Sequence, residues 1–326
     1  MHCSLRQIGL TMAASPFSAV HTFWLTSAAM LAFAANSVLC RLALTHTSID
    51  AASFSAIRLF SAAFMLVLLL LWRERVQLAE QPKWTLHIWQ LLANHGSWAG
   101  ATALLVYVLG FSYAYVSIET AIGALLLFGA VQLTMLGYGL LQGERWSGRQ
   151  QLGFACAALG VVALLWPVSN AAAHAVTDTL SMRLGVLWMI VAGIAWGIYS
   201  LLGRQSLDPV ATTASHFVRC LPVAIGLLFI NTAWQSLDLL GVGYAVASGA
   251  LASGVGYAIW YRALNGLSAL LAASVQLSVP MLAAVAAVIW LDESMTIRLV
   301  LAGTAILLGL ALVILQPTTP SKNSSQ

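Results

Sequence analysis

The chain predicts an all-α membrane protein with ten transmembrane helices arranged as two inverted five-helix repeats. Three observations carry that expectation. Hydrophobic residues make up 60% of the 326 and charged residues 7%, whereas a water-soluble domain carries about a quarter charged residues. Asp, Glu, Lys and Arg are missing from 7–40, 120–143, 150–177, 184–203, 239–261, 263–291 and 299–321, and a helix needs roughly 20 apolar residues to cross a bilayer. Finally, the stretch Phe111 to Trp166 is written again from Trp260 to Leu315. A slide of 149 positions puts Phe111 on Trp260, Ala114 on Ala263, Glu144 on Glu293 and Gly160 on Gly309, and such a repeat constrains the whole fold.

Taken in order, residues 1–21 form a cytoplasmic tail. Arg6, the apolar run after it and Ala32-Phe33-Ala34 imitate a secretory signal. However, Phe33-Ala34-Ala35-Asn36 aligns with Trp196-Gly197-Ile198-Tyr199, which marks a retained first helix. The first repeat spans 22–167, with helices at 22–43, 51–72, 97–116, 120–141 and 149–167. A periplasmic linker occupies 168–183. The second repeat spans 184–316, with helices at 184–203, 210–231, 240–261, 267–290 and 297–315, followed by a cytoplasmic tail over 317–326. The loop 73–96 is longer than its counterpart 232–239, which accounts for the drift in offset between the early and late parts of the repeat. Within it, residues 84–92 predict a short helix on the membrane surface. Trp72, Trp98, Trp146, Trp166, Trp188, Trp234 and Trp290 fall at or near helix ends, as interfacial anchors do.

Five helices per half make the second half enter the membrane from the opposite side, as inverted repeats of secondary transporters do. With the N-terminus inside, Arg6, Arg73, Arg75, Lys83, Arg145, Arg149, Arg204, Arg262 and Lys322 lie on the inner side, and Arg41, Arg183 and Arg298 on the outer. This bias predicts a multi-pass protein of the cytoplasmic (inner) membrane with both termini cytoplasmic. The net charge of +4 is scattered between apolar runs, which sets topology and excludes a nucleic-acid surface. Cys3, Cys40, Cys156 and Cys220 have no metal or redox spacing, and the last three read as small apolar fillers. Neither metal nor cofactor is expected, and the sequence leaves the oligomeric state open.

Two five-helix halves, the aromatic-small-x-polar element in helices one and six, Ala114 and Ala263, and an acid after helices four and nine resemble the drug/metabolite transporter superfamily. The nearest branch is the EamA-type ten-helix exporters, over about residues 22–316. The first copy keeps only Asn36 of the family's Trp-Gly-x-Asn, the second keeps Trp196-Gly197 but has Tyr199, and the family's proline in helix nine is present as Pro280. The resemblance places the transport path near helices one and six, which raises Asn36, Trp196 and Tyr199 as substrate-binding candidates.

Polar residues inside a membrane face the bundle interior or a water-filled cavity, which adds further candidates. Arg58 and Arg219 match across the halves. Either they hold an anionic group in the guanidinium fork, or they sit near helix ends and cap carbonyls. Gln132 and Gln276 sit mid-helix, bonding either to substrate or between helices. Tyr107, Phe111, Tyr113, Tyr257, Trp260 and Tyr261 make helices three and eight aromatic, as a wall for amphipathic solutes or as a belt. The belt is the better reading for Trp260 and Tyr261. Pro222 and Pro280 interrupt helices seven and nine, as hinges or as packing irregularities. No carboxylate falls mid-span, which leaves His216 and Glu119 as possible coupling groups.

The expected function is a secondary active transporter, an exporter of small amphipathic metabolites or amino acids by alternating access, with a small-molecule substrate and the lipid bilayer as partners. The alternatives are an intramembrane enzyme or a non-transporting membrane scaffold. Against an enzyme, the chain lacks Gly-x-Ser-x-Gly, His-Glu-x-x-His and a mid-membrane Asp pair. Against ATP as energy source, it lacks Gly-x-x-x-x-Gly-Lys-Ser/Thr.

Overall fold

The computed structural model describes residues 19–77, 84–141, 147–165, 176–203, 206–230, 238–264, 266–267, 272 and 275–314. Tail residues 1–18 and 317–326, linker residues 168–175, Gly143-Glu144, Arg145, Arg204, Lys83, Trp146, Trp166 and Trp234 lie outside the described residues, whereas 19–21 of the expected tail and 176–183 of the expected linker are helical. Among those described, helices make up the fold and no strand occurs.

The helices begin where the sequence supplies caps. Asp50 Oδ1 accepts the backbone N–H groups of Ala52 and Ser53 at 2.9 and 3.0 Å, so α2 (Ala51–Gln77) follows α1 (Ala19–His46) after four residues. Next come α3 (Trp84–Asn94) and α4 (Trp98–Ala114), separated by Gly96 at φ +82°, where a side chain is strained. Ser97 caps α4 by accepting Gly100 N–H at 3.0 Å. After α5 (Thr120–Leu141), Ser147 and Gln150 form a reciprocal capping box at the start of α6 (Gly148–Leu165).

In the second half α7 (Val176–Gly203) precedes α8 (Pro209–Ile230), where Asp208 caps Ala211 N–H at 3.1 Å and Pro209 takes the first helical position. Asp238 caps α9 (Leu239–Leu264) through Gly241 N–H at 2.6 Å. This helix carries a π-helical segment over Ala247–Val255 that the sequence reading does not anticipate. The chain ends with α10 (Ser278–Trp290) and α11 (Ile297–Ile314).

Among the described residues six helices, α1, α2, α5, α7, α8 and α9, are long and apolar enough to cross a bilayer, and α3 with α4 makes a pair bent by 86° that can count as a seventh. Of the helix expected over 267–290, the described part has a turn at Leu277 and a continuous helix over Ser278–Trp290. Pro280 therefore stands in a first turn rather than mid-helix, where its missing N–H costs nothing. The segment expected on the membrane surface is α3. It packs against α2 and α8 and buries Ile88 and Leu92.

Packing follows small residues. α6 lies along α11, where a Cβ on Gly153 would stand 2.6 Å from the carbonyl oxygen of Gly309; without a hydrophobic drive between helices in lipid, such close backbone contact holds them together. α2 meets α9 at Gly249, where a Cβ would collide with Ser61 Oγ and the Arg58 carbonyl. α1 packs on α9 and α10, α2 on α8 and α9, α4 on α7 and α8, and α5 on α7 and α10. Large apolar side chains such as Phe64, Leu68, Leu187 and Val285 face outward, as lipid contact requires.

Candidate functional site

Between α1, α4, α5, α7, α8 and α9 lies a cavity of about 630 Å³. Asn36, Tyr107, Gln132, Trp196, Tyr199, Tyr257 and Gln276 all line it. Three of them are aromatic side chains in direct contact with Trp196: Tyr107 at 4.7 Å between centroids, and Tyr199 and Tyr257 each at 5.3 Å. Trp260 and Tyr261 belong to this wall too, which corrects their assignment to an interfacial belt. The helical turn places them, with Tyr257, on the inward face of α9, and Phe33 of α1 stacks edge-on against Tyr257 and Trp260 at 5.7 and 6.0 Å.

Polar groups converge on one stretch of the cavity wall, around Asn36 and Tyr107. Ser248 Oγ donates to Asn36 Oδ1 at 2.6 Å, and Asn36 Nδ2 donates to Tyr107 OH at 3.4 Å. Arg58 Nη2 donates to the same hydroxyl at 3.2 Å, and its Nε donates to Ser253 Oγ at 3.4 Å. The guanidinium also lies 5.3 and 5.0 Å from the ring centroids of Tyr107 and Phe111. Ser248 and Ser253 are both in the π-helical segment. They are site residues that sequence reasoning missed, and the only trace of them is the run of small residues around Gly249. By contrast, the amides of Gln132 and Gln276 make no hydrogen bond to a described residue, so the cavity holds unused donors and acceptors.

The other candidates lie apart. Arg219, the sequence partner of Arg58, is on the flank of α8. Its Nη2 donates to the carbonyl of Ala93 at 3.1 Å and its guanidinium stands 5.5 Å from the Trp98 ring, so the matched arginines occupy different environments. His216 is buried behind the wall. Its Nε2 accepts the Ser97 backbone N–H at 3.0 Å, which puts the ring proton on Nδ1, facing Tyr199 OH at 3.3 Å. A chain of hydroxyls runs on from Tyr199 to Thr213 and Tyr261. Gly96 and Gly100 press on the imidazole; a Cβ on Gly100 would stand 2.5 Å from it. Glu119 lies outside the cavity, in the loop after α4. Partial burial there, and after it the neighbouring Glu293 carboxylate, raise its pKa, while Arg41 acts in the opposite sense.

The two ends of the bundle differ. The cavity extends to Gly139, Gln150, Gly203, Ser206 and Leu264, which cluster at the C-terminal ends of α5, α7 and α9 and the N-terminal end of α6. At the opposite end the elements are stitched together. Arg41 Nη1 donates to the carbonyls of Tyr115 and Val116 at 2.7 and 3.2 Å, and Arg41 Nε stands 3.7 Å from Glu293 Oε1. Glu293 accepts Thr120 N–H at 2.9 Å and Thr120 Oγ at 2.9 Å, capping α5. Asp292, at φ +53°, makes the turn that aims Glu293 there. Across the open end, Arg73 makes a two-pronged contact to Asp208 at 3.0 and 2.7 Å.

Among known proteins, a family model described as the EamA-like transporter family matches residues 183–315. Uncharacterized protein PA1977 of Pseudomonas aeruginosa is 48% identical over 293 residues, covering 90% of this chain and 94% of its own length. A solved crystal structure shares the fold with a TM-score of 0.57 at 18% identity, covering 90% of this chain and 96% of its own.

Proposed function

The chain belongs to the EamA-like transporter family, within the drug/metabolite transporter superfamily, and from that premise we propose that it is a secondary active transporter that exports small amphipathic solutes by alternating access. The observation that carries the proposal is the cavity of about 630 Å³ between helices of both halves, with aromatic walls and with the amides of Gln132 and Gln276, which bond to no described residue, in its lining. A volume of that order fits a small organic molecule. Trp196 and Tyr257 would take the apolar body of the solute, and Asn36, Gln132 and Gln276 its polar groups.

We read the chain as ten crossings in two inverted halves, with both termini cytoplasmic and the cavity open to the cytoplasm. The helix pairing supports this reading: α1 lies on α9 and α10 as α7 lies on α4 and α5, α2 lies on α8, and α6 on α11. A two-fold axis in the membrane plane would relate those pairs, and rocking one half against the other would expose the same site to the other side.

Counterflow in proteoliposomes, run against a mixed pool of amino acids and organic acids with and without a pH gradient, tests the proposal. Exchange of a defined solute is the expected result. No exchange of any solute by folded protein would move the weight to an enzyme or a scaffold.

A further inference from the structure

Arg58 is fully buried and has no counter-ion among the described residues. No carboxylate among the described residues lies within ion-pair distance of it, and its Nη1 is buried with no hydrogen-bond partner. A guanidinium stays protonated in a protein, so this is a full positive charge in the interior of a membrane bundle. Such charges are costly and are found paired. The groups around it only partly compensate, because Tyr107 and Ser253 give neutral hydroxyls and Phe111 the face of its ring. Those three side chains line the cavity, so the unpaired charge sits directly behind its wall. No described residue that lines the cavity is acidic or basic.

We propose that Arg58 is the anion-binding residue of the cavity and that the transported solute is an apolar monocarboxylate. The proposal rests on the transporter reading above and names its substrate class. The carboxylate would replace the Tyr107 hydroxyl at Nη2 as that side chain swings aside, and Nη1, which has no partner to give up, would complete the pair. The guanidinium fork presents parallel donors that suit a two-oxygen acceptor. The apolar body would lie on Trp196 and Tyr257. A monoanion brings the local charge to zero. A zwitterion would leave its ammonium group with no described acid in the cavity to pair with.

Binding to the purified full-length protein in phosphatidylcholine nanodiscs, followed by isothermal calorimetry, tests this with three probes of one shape: 3-phenylpropionate, 3-phenylpropanamide and L-phenylalanine. In the wild type the carboxylate is expected to bind on the order of tenfold or more tighter than the amide and the amino acid. The variant Arg58→Gln should lose that preference while still binding the amide, which shows that the cavity survives the change. Arg58→Lys should keep part of the preference, because it keeps the charge but not the fork.

Equal binding of carboxylate and amide by the wild type would overturn the anion site and leave the transporter reading standing. Binding of none of the probes would sink the cavity itself as a solute site. Equal binding of L-phenylalanine and 3-phenylpropionate would overturn the restriction to monoanions. Inorganic phosphate or added phosphatidylglycerol displacing the carboxylate from the wild type, but not acting on Arg58→Gln, would reassign the site to a phosphate group and overturn the carboxylate.

Discussion

Glu293 holds the closed end of the bundle, and changing it to Gln should open that end. The carboxylate accepts the Thr120 backbone N–H with both oxygens at 2.9 Å and the Thr120 hydroxyl at 2.9 Å, and it lies 3.7 Å from Arg41. Its side chain is 11% exposed and that of Arg41 17%, so solvent screens the contact only in part. Loss of a helix cap costs about 1 kcal/mol, and a partly exposed ion pair contributes up to about 1 kcal/mol. Glutamine keeps one acceptor oxygen, so the expected loss is about 1–1.5 kcal/mol, which converts to roughly a tenfold shift in the ratio of open to closed forms at that end. Cys40 reads this shift. It is fully buried beside Arg41, and in a background with Cys3, Cys156 and Cys220 replaced by Ala its modification by a membrane-impermeant maleimide requires opening. In the orientation proposed above, Glu293→Gln should raise the labelling rate from the outer side of right-side-out vesicles about tenfold. An unchanged rate in a variant that folds and inserts normally would refute the assignment of Glu293 as the closure.

Three further outcomes follow from the geometry. Gly249→Val must force α2 and α9 apart, since even a Cβ there collides with Ser61 and the Arg58 carbonyl. An overpacked contact of this kind costs about 1–3 kcal/mol, to be read as lowered thermal unfolding in detergent; an unchanged midpoint would contradict the packing. For Asp208, burial disfavours ionisation but the Arg73 hydrogen bonds and the Ala211 amide outweigh it, so its pKa lies below the usual aspartate value. A depressed acid contributes stability that is present above its unfolded pKa and lost as pH falls through the lower folded value. Asp208→Asn should therefore be less stable than wild type at pH 7, with the gap narrowing only as pH falls below about 4; a gap independent of pH would argue against the ion pair. Gln276→Ala should reduce transport while leaving membrane insertion intact, and unchanged transport kinetics would remove Gln276 from the site.

Much of the site could be read in the sequence because a membrane leaves polar residues few places to go. Seven candidates chosen for polarity or aromatic character inside apolar runs meet at one cavity, because hydrocarbon excludes them from the outer face of the helices. Misreadings arose where the signal was a residue type shared by two settings. Trp260 and Tyr261 have the composition of an interfacial belt, and only the face of α9 they occupy decides for the cavity. The π-helical segment could not be read at all. Its Ala, Ser and Gly residues fix no period, yet within this wider-turned segment Ser248 meets Asn36 and Ser253 meets Arg58. The acid after helix nine was visible, but its role was not. Its function as a cap on α5 depends on Asp292 taking a left-handed conformation, which Asp tolerates better than most residues.

The two arginines show how far symmetry in a sequence carries. Arg58 and Arg219 match across the halves, so a repeat argument gives them one role. Their neighbours do not match. Around Arg58, the Gly249 contact draws α9 close enough for Ser253 to reach Nε, and Tyr107 of α4 comes in from the other side; no backbone carbonyl among the described residues is bonded. Around Arg219, the insertion between α2 and α4 supplies α3, whose last turn offers the Ala93 carbonyl and whose junction brings up Trp98. Each arginine keeps one buried Nη1 without a partner, but the longer loop gives Arg219 a backbone carbonyl and a Trp ring, whereas Arg58 bonds only side-chain hydroxyls that line the cavity. Removing the two charges should therefore not be equivalent: Arg219→Gln should loosen the α3–α8 contact and lower thermal stability with little change in solute preference, while Arg58→Gln should change solute preference with little loss of stability.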